Sequence, residues 1–394
     1  MRTLTLSKSG LNKIRSFHKE LKSSDLEGSV KSVPPGEWCL LSAEKSFWLC
    51  FVNPMVDEKF SCVQVLDEVK DLSSFMVEAF IKQKIVSAIK KRHQYFGYED
   101  GSRVFYGTSD GLPGLIVDHF TNAIVIQINT AGVDRYRDFI AKVFSEELSI
   151  KSYFLDNEKY REREFLPVFE HEAVPALIVK ENALNYELRS EVIQKVGFYY
   201  DHRENRKALQ EILQRLKIKP KIGIDLFCYA GAWGLNALKG GVCQVDFVDQ
   251  GDFSIEVFRA IELNGFMNKG NFFRQDVFKF MDDAISNKKQ YDLVMCDPPA
   301  FAKSHLQKDQ ALDGYSKLHR KVMKISHPGT LVVFSSCTHY VSHEEFQKNI
   351  LDAANKEGRK IQLIHTGIQG WDHPIRSQND KSNYIKSYFY LLES

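Results

Sequence analysis

Strand-like and helix-like segments alternate along the second half of this 394-residue sequence, from about residue 189 onward. This alternation favours an open α/β fold, because strands joined through helices pair in parallel. Two late runs, 361–366 and 387–392, are expected to close the sheet as an antiparallel pair. The parallel strands predicted before them are, in chain order, residues 222–227, 243–249, 271–274, 291–296 and 330–335.

Ligands of an open α/β sheet bind beyond the carboxyl ends of its strands, so polar residues just after each strand are candidates for function. The first strand leads from Asp225 into the turn of the segment DLFCYAGAWG, where Gly231 and Gly234 would let the backbone approach a ligand. Asp249 closes the second strand at the spacing where a carboxylate grips a ribose diol. Asp276, after the third strand, is a candidate for contacting an adenine amino group. Together these positions predict a nucleotide-like cofactor.

Two cofactor classes compete for this turn, a nicotinamide dinucleotide and S-adenosylmethionine (SAM). The turn is not G-x-G-x-x-G, and it lacks the glycine density that a pyrophosphate needs for close backbone approach. A second carboxylate motif, DPPAF at 297–301, has no role in hydride transfer. SAM is therefore favoured, and a dehydrogenase is kept as the weaker alternative.

The DPPAF motif follows the fourth predicted strand and suits a flat base that has been swung out of its stack. Pro298 and Pro299 would stiffen the backbone, Phe301 would stack on the base, and Asp297 would contact the base edge.

Cys337 follows the fifth predicted strand, which is expected to neighbour the fourth at about 4.8 Å. Carbon 5 of a pyrimidine is a poor nucleophile, but addition of a thiolate at carbon 6 makes it enamine-like and able to take a methyl group. Loss of the carbon-5 proton then expels the thiol, which is a good leaving group. By position alone, a small buried apolar residue explains Cys337 equally well.

The first 188 residues follow other patterns. Residues 1–70 contain short aromatic and β-branched runs, which predict a small barrel or sandwich that is either structural or a binding module. Residues 72–95 predict a basic amphipathic helix, which would either grip phosphates or present a solvated face. Residues 103–185 predict an α/β unit in which the mixed-charge run 159–164 is a loop. The predicted domains are therefore 1–70, 71–188 and 189–394.

Composition narrows the class of protein only a little. A net charge of +2 does not by itself indicate a nucleic-acid binder. The seven cysteines include no CxxC pair, so neither a metal site nor a disulfide framework is predicted. No apolar run approaches the roughly 20 residues that span a bilayer, and the N-terminus lacks the apolar core of a signal peptide. We therefore expect a cytoplasmic protein that neither enters a membrane nor binds a metal.

Five segments, in order, resemble the class I methyltransferases of the RlmI/YccW type, which form 5-methylcytosine in large-subunit (23S-type) ribosomal RNA. They are GLPGLIVD (111–118), KVGFYYDHRENR (195–206), DLFCYAG (225–231), DPPAFAKS (297–304) and SSCTH (335–339), and DHP at 372–374 resembles the family's tail. The resemblance implies an N-terminal PUA-like RNA-binding β-barrel, a central α/β domain and a C-terminal Rossmann-like methyltransferase domain. It also implies SAM as cofactor and ribosomal RNA as partner, and it leaves a homodimer open.

The resemblance assigns roles to individual residues of this sequence. It implies Cys337 and Asp297 as the catalytic pair, with Pro298, Pro299 and Phe301 in the base pocket. The cofactor-binding residues that it implies, together with those predicted above, are Phe198, Asp201, Arg203, Asp225, Phe227, Cys228, Tyr229, Ala230, Gly231, Gly234, Asp249, Gln250, Asp276 and Val277.

This sequence departs from the family pattern at several positions. Val196 stands where the family usually has Thr, His202 where it usually has Gln, and Trp233 where it usually has Phe or a small residue. Most other RNA cytosine-5 methyltransferases carry a second cysteine where this chain has Ala300. The acceptor of the carbon-5 proton is therefore open between Asp297 and a bound water.

Two further functions compete with cytosine-5 methylation. A guanine or adenine N-methyltransferase would need no cysteine. An RNA-binding assembly factor would use the methyltransferase fold only as a scaffold, and the intact carboxylates after the strands argue against it.

Overall fold

The chain forms two compact units, and each is described by itself. One comprises Met1–Leu177 with Ile193–Phe198, and the other Ile178–Val192 with Tyr199–Ser394. The three-domain division is finer than this and stays a prediction. The computed structural model describes residues 1–70, 75–98, 100–193, 197–217, 219–302, 304–375 and 382–393. Parts of three predicted segments lie outside these ranges: the start of the helix at 72, residues 195–196 with Val196, and residue 303.

The N-terminal unit begins with six short strands in one mixed sheet. Their bounds are Arg2–Leu6 (β1), Glu20–Leu21 (β2), Leu26–Glu27 (β3), Glu37–Ala43 (β4), Ser46–Val52 (β5) and Val63–Glu68 (β6), and helix α1 spans Lys8–Arg15. The sheet order is β2-β6-β5-β4-β1-β3, with β1 parallel to β4 and the other neighbours antiparallel. The predicted short strands of residues 1–70 are thus confirmed, but the sequence interpretation missed helix α1.

Strand β4 shows that this sheet buries both of its faces. Successive side chains of a strand point to opposite faces. Cys39 and Leu41 lie in one apolar core and Trp38 and Leu40 in another. The Trp38 indole donates a hydrogen bond of 2.8 Å to the carbonyl of Gly132, which ties the sheet to the following α/β segment.

That segment forms a four-stranded sheet with order β10-β9-β8-β7. Its strands are Ser102–Tyr106 (β7), Leu115–His119 (β8), Ile124–Ile128 (β9) and Ser152–Phe154 (β10). Its helices are Val77–Lys90 (α2), Gly107–Asp110 (α3), Ala131–Asp134 (α4), Arg137–Leu148 (α5) and Glu158–Arg163 (α6), and a π-helical stretch spans Lys91–Tyr95. The α/β prediction for this segment is confirmed.

Several basic residues of α2 and the π-helical stretch have carboxylate partners within the N-terminal unit. Lys84 pairs with Asp67, and Lys91 lies 3.3 Å from Asp110. Arg92 is fully buried and binds both oxygens of Asp110, at 2.8 and 2.6 Å. These pairs oppose the phosphate-gripping alternative for this helix.

The predicted loop at 159–164 is wrong, because these residues form most of α6. Asn157 caps the helix by accepting a hydrogen bond from the backbone N–H of Tyr160. Arg161 is fully buried and pairs with Asp134 at 2.9 Å and Asp156 at 3.3 Å. The charges that indicated a solvated loop are thus partly interior ion pairs.

The C-terminal unit opens with a two-stranded sheet and continues as a seven-stranded one. The strands are Leu177–Glu181 (β11), Leu184–Leu188 (β12), Ile222–Leu226 (β13), Gln244–Asp249 (β14), Gly270–Arg274 (β15), Tyr291–Cys296 (β16), Ser326–Ser336 (β17), Ile361–Gly367 (β18) and Lys386–Leu392 (β19). The helices are Arg203–Arg215 (α7), Ala232–Lys239 (α8), Ser254–Leu263 (α9), Val277–Ser286 (α10), Lys308–Lys324 (α11) and His343–Lys356 (α12).

The large sheet has the order β15-β14-β13-β16-β17-β19-β18. The first five strands are parallel, and β19 is antiparallel to both β17 and β18. The predicted parallel sheet, the pairing of β16 with β17 and the closing antiparallel pair are all confirmed. The strand order reverses beside β13, which is where an open α/β sheet binds its ligand.

Candidate functional site at the strand ends

The turn after β13 has an unusual backbone. Phe227 and Tyr229 have left-handed φ angles of 62° and 47°, and Gly231 follows with φ of 76°. Such angles cost non-glycine residues about 1–3 kcal/mol each and cluster at ligand-binding turns. The N–H groups of Phe227 and Cys228 donate to the carbonyl of Val248, so the turn is anchored to the adjacent strand β14.

Gly234, in the first turn of α8, lies against β14. A Cβ at this position would come within 2.2 Å of the Phe247 ring. The sequence interpretation predicted that Gly231 and Gly234 both let the backbone approach a ligand. For Gly234, close packing of the helix on the sheet explains the absence of a side chain. Its N–H also donates a hydrogen bond of 2.8 Å to Asp225 Oδ2.

Asp249 ends β14, and backbone N–H groups hold both of its carboxylate oxygens. Tyr229 donates to Oδ2 at 3.0 Å and Gly251 to Oδ1 at 2.9 Å. Burial raises the pKa of the Asp249 carboxyl, which these hydrogen bonds partly offset. Each oxygen keeps a second lone pair, so the group can still accept hydrogen bonds from a diol.

Asp276 is the N-cap of α10 and accepts a 2.9 Å hydrogen bond from the N–H of Lys279. The backbone N–H of Gln275, the preceding residue, donates to the carbonyl of Asp249. This hydrogen bond brings Asp276 close to Asp249. Asp276 is exposed, and Val277 after it is buried in the core.

Asp225 is almost completely buried, and its Oδ1 has no hydrogen-bond partner among the described residues. Burial raises the pKa of this carboxyl well above its ordinary value, and the charges of Asp297 and Asp249 add to the effect. The three predicted carboxylates therefore share one electrostatic environment, which suits a ligand with positive charge and hydrogen-bond donors.

Asp297 follows β16 and is oriented by two aromatic side chains. The indole of Trp233 donates a 3.0 Å hydrogen bond to Oδ2, and His202 Nε2 lies 3.5 Å from the same oxygen. The rings of His202 and Trp233 are 5.4 Å apart. Both residues are departures from the family pattern, and the structure brings them together on the predicted catalytic carboxylate.

Cys337 lies one residue beyond β17, at the edge next to Asp297, and its side chain is partly exposed. The hydroxyl of Tyr315, on α11, bonds Ser336 Oγ at 2.9 Å and Thr338 Oγ1 at 2.8 Å, on either side of the cysteine. Burial raises the pKa of Tyr199 to about 12, and the charges of Cys337, Asp297 and Asp249 contribute. Tyr199 thus links the cysteine end of the sheet to the Asp249 end.

The predicted base-pocket residues differ in exposure. Pro298 is buried and Pro299 is exposed. Phe301 is partly buried and stacks on Tyr315, with ring centroids 4.7 Å apart. One face of Phe301 is therefore occupied by the protein, and its contact with a base stays a prediction.

The remaining predicted cofactor residues fall into two groups. Cys228 and Ala230 are buried and Phe227 packs on the core, whereas Gln250 is exposed. From the KVGFYYDHRENR segment, Asp201 accepts a 2.8 Å hydrogen bond from Tyr384, and the buried Arg203 lies 3.6 Å from Glu181. Phe198 is buried and belongs to the N-terminal unit. The cofactor contacts of all these residues stay predictions.

Comparison with known proteins identifies the family. The family profile of S-adenosylmethionine-dependent methyltransferases matches residues 147–350. Ribosomal RNA large subunit methyltransferase I of Pseudoalteromonas atlantica is 30% identical over 303 residues, covering 75% of this chain and 74% of the relative. The same enzyme of Shewanella amazonensis is 31% identical over 294 residues, covering 73% of each chain.

The chain belongs to the ribosomal RNA large subunit methyltransferase I family of SAM-dependent methyltransferases. Two solved structures share its fold. SMU.776, a methyltransferase complexed with SAH, superposes with a TM-score of 0.77 at 19% identity, over 99% of this chain and all of the other. A SAM-dependent methyltransferase from Streptococcus mutans gives 0.75 at 18% identity, over the same shares. The class I methyltransferase fold is thus confirmed.

SAM is the cofactor of this methyltransferase family, and the strand ends fit it. SAM carries an ammonium group, a sulfonium and a ribose diol. The buried Asp225 Oδ1 lacks a hydrogen-bond partner among the described residues, and the charges of Asp297 and Asp249 add to the burial that raises the pKa of Asp225. Asp249 retains acceptor capacity for the diol. The carboxylates therefore match SAM in charge, and as hydrogen-bond acceptors they match its donor groups.

The described residues contain neither a metal-binding cluster nor a helix that could span a membrane. Between the gaps given above, no three His, Cys, Asp or Glu side chains are grouped so that they could hold a metal ion. In the same ranges, no helix has the length and apolarity needed to cross a membrane.

The sequence interpretation did not single out Tyr315, Tyr384 or Lys386, which the structure ties by hydrogen bonds to residues of the candidate site. Lys386 lies in β19, is almost completely buried, and donates to the carbonyl oxygens of Thr338 and Tyr384, both at 2.9 Å. No local motif marks these residues, because only the pairing of β17 with β19 and the packing of α11 bring them to Cys337.

Proposed function

We propose that this chain methylates carbon 5 of a cytosine in large-subunit ribosomal RNA, with Cys337 as covalent nucleophile. The substrate class comes from the names of the relatives, which are ribosomal RNA large subunit methyltransferases. The observation that carries the reaction type is the placement of Cys337 and Asp297 at the neighbouring ends of β17 and β16, next to the carboxylates that suit SAM.

The chain's own residues supply the nucleophile and the base contact. The Cys337 thiolate adds to carbon 6 of the cytosine, forming a C–S bond and moving the 5,6 double-bond electrons toward carbon 5. Asp297, held by Trp233, contacts the edge of the base. Bound SAM would supply an electrophilic methyl group to carbon 5, with its S–CH3 bond breaking and S-adenosylhomocysteine as the leaving group.

The elimination restores the aromatic ring. A base removes the carbon-5 proton, its electron pair re-forms the 5,6 double bond, and the C–S bond breaks to return the Cys337 thiolate. Asp297 is one candidate for the proton acceptor and a bound water is the other. Ala300, the place of a second cysteine in most other RNA cytosine-5 methyltransferases, carries no proton acceptor.

We further propose that the N-terminal mixed sheet is a PUA-like RNA-binding barrel and that the enzyme acts in the cytoplasm. The resemblance to the RlmI/YccW type supports both proposals. The RNA-binding proposal can be tested in the full chain. Crosslinking of the full chain to ribosomal RNA should give crosslinked peptides from residues 1–70.

The test of the covalent mechanism is a Cys337→Ala enzyme given ribosomal RNA and SAM carrying a labelled methyl group. We expect methyl transfer to fall to background while SAM binding, measured by calorimetry, stays close to wild type. Cys243→Ala is the matched control, because Cys243 is exposed and precedes β14, at the amino end of that strand and opposite the carboxyl ends that carry the candidate site.

Two results would count against the proposal. Retained turnover by Cys337→Ala would point instead to N-methylation of a purine. RNA carrying 5-fluorocytosine at the target position should trap a denaturation-resistant adduct with the wild-type enzyme, and its absence in the presence of turnover would exclude the covalent step.

A further inference from the structure

Lys386 is a buried cation in the strand next to the nucleophile. It is 2% exposed, and its Nζ donates to two backbone carbonyls rather than to a carboxylate. In the described part of the chain, no carboxylate lies within ion-pair distance of it. Burying an ammonium without a counter-charge is expensive, so its position calls for an explanation.

The position of Lys386 is tied to both neighbours of Cys337. In the antiparallel pairing of β17 with β19, Lys386 is the partner of Ser336. Its side chain donates to the carbonyl of Thr338, the residue after Cys337. Because Tyr315 bonds the hydroxyls of the same two residues, the segment 336–338 is held from two sides.

Other charged and titratable groups also face Cys337. Asp297 lies at the end of β16, Tyr199 precedes α7, and Tyr315 comes from α11. Burial raises the pKa of both tyrosines, so at neutral pH they are uncharged. The Asp297 carboxylate disfavours a thiolate nearby, which makes a compensating cation useful.

The charges of Lys386 and the Cys337 thiolate stabilise each other. Burial lowers the pKa of Lys386 to about 8, and the charge of the Cys337 thiolate acts against this decrease. The lysine thus remains mostly protonated at pH 7, and the interaction is mutual.

We propose that Lys386 is a positioning residue for Cys337, whose ammonium group stabilises the thiolate and fixes the segment 336–338. The inference rests on the proposed function in one respect, because the proposed function is what gives the Cys337 thiolate a role. On ionisation, the Cys337 proton passes to solvent, and Lys386 keeps its own protons. The lysine therefore acts through the cysteine and need not touch the RNA base.

The first experiment measures the pH dependence of Cys337 alkylation by iodoacetamide in the full chain, with peptide mass spectrometry as readout. Cys243 is exposed and serves as an internal reference in every sample. In Lys386→Gln, which keeps a hydrogen-bond donor but loses the charge, the midpoint for Cys337 should rise by about one pH unit. Alkylation at pH 7 should fall about tenfold, while Cys243 is unchanged.

Lys386→Arg keeps the charge and should retain at least part of the wild-type midpoint, which a merely structural donor would not explain. If Lys386→Gln binds SAM normally and its Cys337 profile is the same as wild type, the proposal is overturned.

The second experiment does not depend on any Lys386 variant folding. The pKa of Lys386 is followed by NMR in protein with labelled lysine side chains, in wild type and in Cys337→Ser. Removing the thiolate should lower the pKa of Lys386, because the coupling is reciprocal. An unchanged Lys386 titration would refute the coupling even where the lysine variants are unstable.

Neither measurement uses RNA or methyl transfer. If the two experiments showed no coupling between Lys386 and Cys337 while Cys337-dependent methylation was intact, only the role of Lys386 would be refuted. Retained methylation by Cys337→Ala would refute the covalent mechanism and leave the coupling measurable.

Discussion

The two halves of the site hold their acidic groups in different ways. At the ends of β13 and β14, backbone N–H groups of Gly234, Tyr229 and Gly251 bind Asp225 and Asp249. At the ends of β16 and β17, side chains do this work. Trp233 binds Asp297, and Tyr315 and Lys386 hold the residues on either side of Cys337.

The supporting helices differ in the same sense. Helix α8 packs closely on the sheet because Gly234 has no side chain, which leaves room for the Phe247 ring. Helix α11 packs through the polar rings of Tyr315 and His319, both buried. The half proposed to bind the cofactor (the cofactor half) is therefore specified by backbone shape, and the half proposed to carry the reaction (the reacting half) by individual side chains. Single substitutions should separate binding from chemistry.

After the loss of activity expected for Cys337→Ala, the largest effect is expected for Asp297→Asn in the reacting half. The variant keeps an oxygen for the Trp233 indole but loses the charge. Methyl transfer at saturating SAM should fall about 10²- to 10⁴-fold, the usual contribution of an acid–base group. The Kd for SAM, measured by calorimetry, should change little. A large loss of SAM affinity would mean that the two halves are not separable.

The next effect is expected for Asp249→Ala in the cofactor half. Hydrogen bonds to a charged group contribute about 1.5–3 kcal/mol, so SAM affinity should fall roughly 10- to 150-fold. At saturating SAM, the methylation rate should stay within a few-fold of wild type. Asp352→Ala is the control, because Asp352 is exposed on α12. Equal loss of rate at saturating SAM would contradict the division.

The smallest effect concerns stability behind the reacting half. Burial lowers the pKa of His319 to about 3 from an ordinary 6.5, so the folded chain keeps this ring neutral. Below about pH 6.5 the unfolded chain takes up a proton that the folded chain refuses. The stability of this region should therefore fall as the pH drops from 6.5 toward 3, by at most about 1.4 kcal/mol per pH unit.

Hydrogen-exchange mass spectrometry on peptides of α11 can measure this dependence. His319→Gln should be less stable near neutral pH, since it loses the ring packing, but should have a flatter pH profile. His305→Gln, at an exposed position before α11, should leave the profile unchanged. A profile for His319→Gln as steep as wild type would show that other groups cause the acid sensitivity.

The sequence predicts the parts of the site that follow from local pattern. Strand–helix alternation is enough to place Asp225, Asp249 and Asp297 at one edge of the sheet, since the carboxyl ends of parallel strands meet there. The same reasoning makes Asp297 and Cys337 neighbours, and the pairing of β16 with β17 confirms it.

Contacts made across long sequence distances were not predictable in this way. The sequence shows Trp233 only as a departure from a pattern, yet its indole orients Asp297. Phe301 is predicted to stack on a base, and the sequence gives no sign that it also stacks on Tyr315. The charges at 159–164 indicated a loop because sequence alone does not show that Arg161 is buried on two aspartates. In each case tertiary packing decides where a side chain points.

The order of the strands along the chain has a consequence for synthesis. Cys337 precedes Lys386 by 49 residues, and β19 is the last strand of its sheet in chain order. A ribosome adding about 5–20 residues per second takes roughly 2–10 seconds to make that stretch. During this interval the thiol is made without the cation that we propose as its activator. The growing chain would thus keep the Cys337 sulfur in the less reactive thiol form until the sheet is complete.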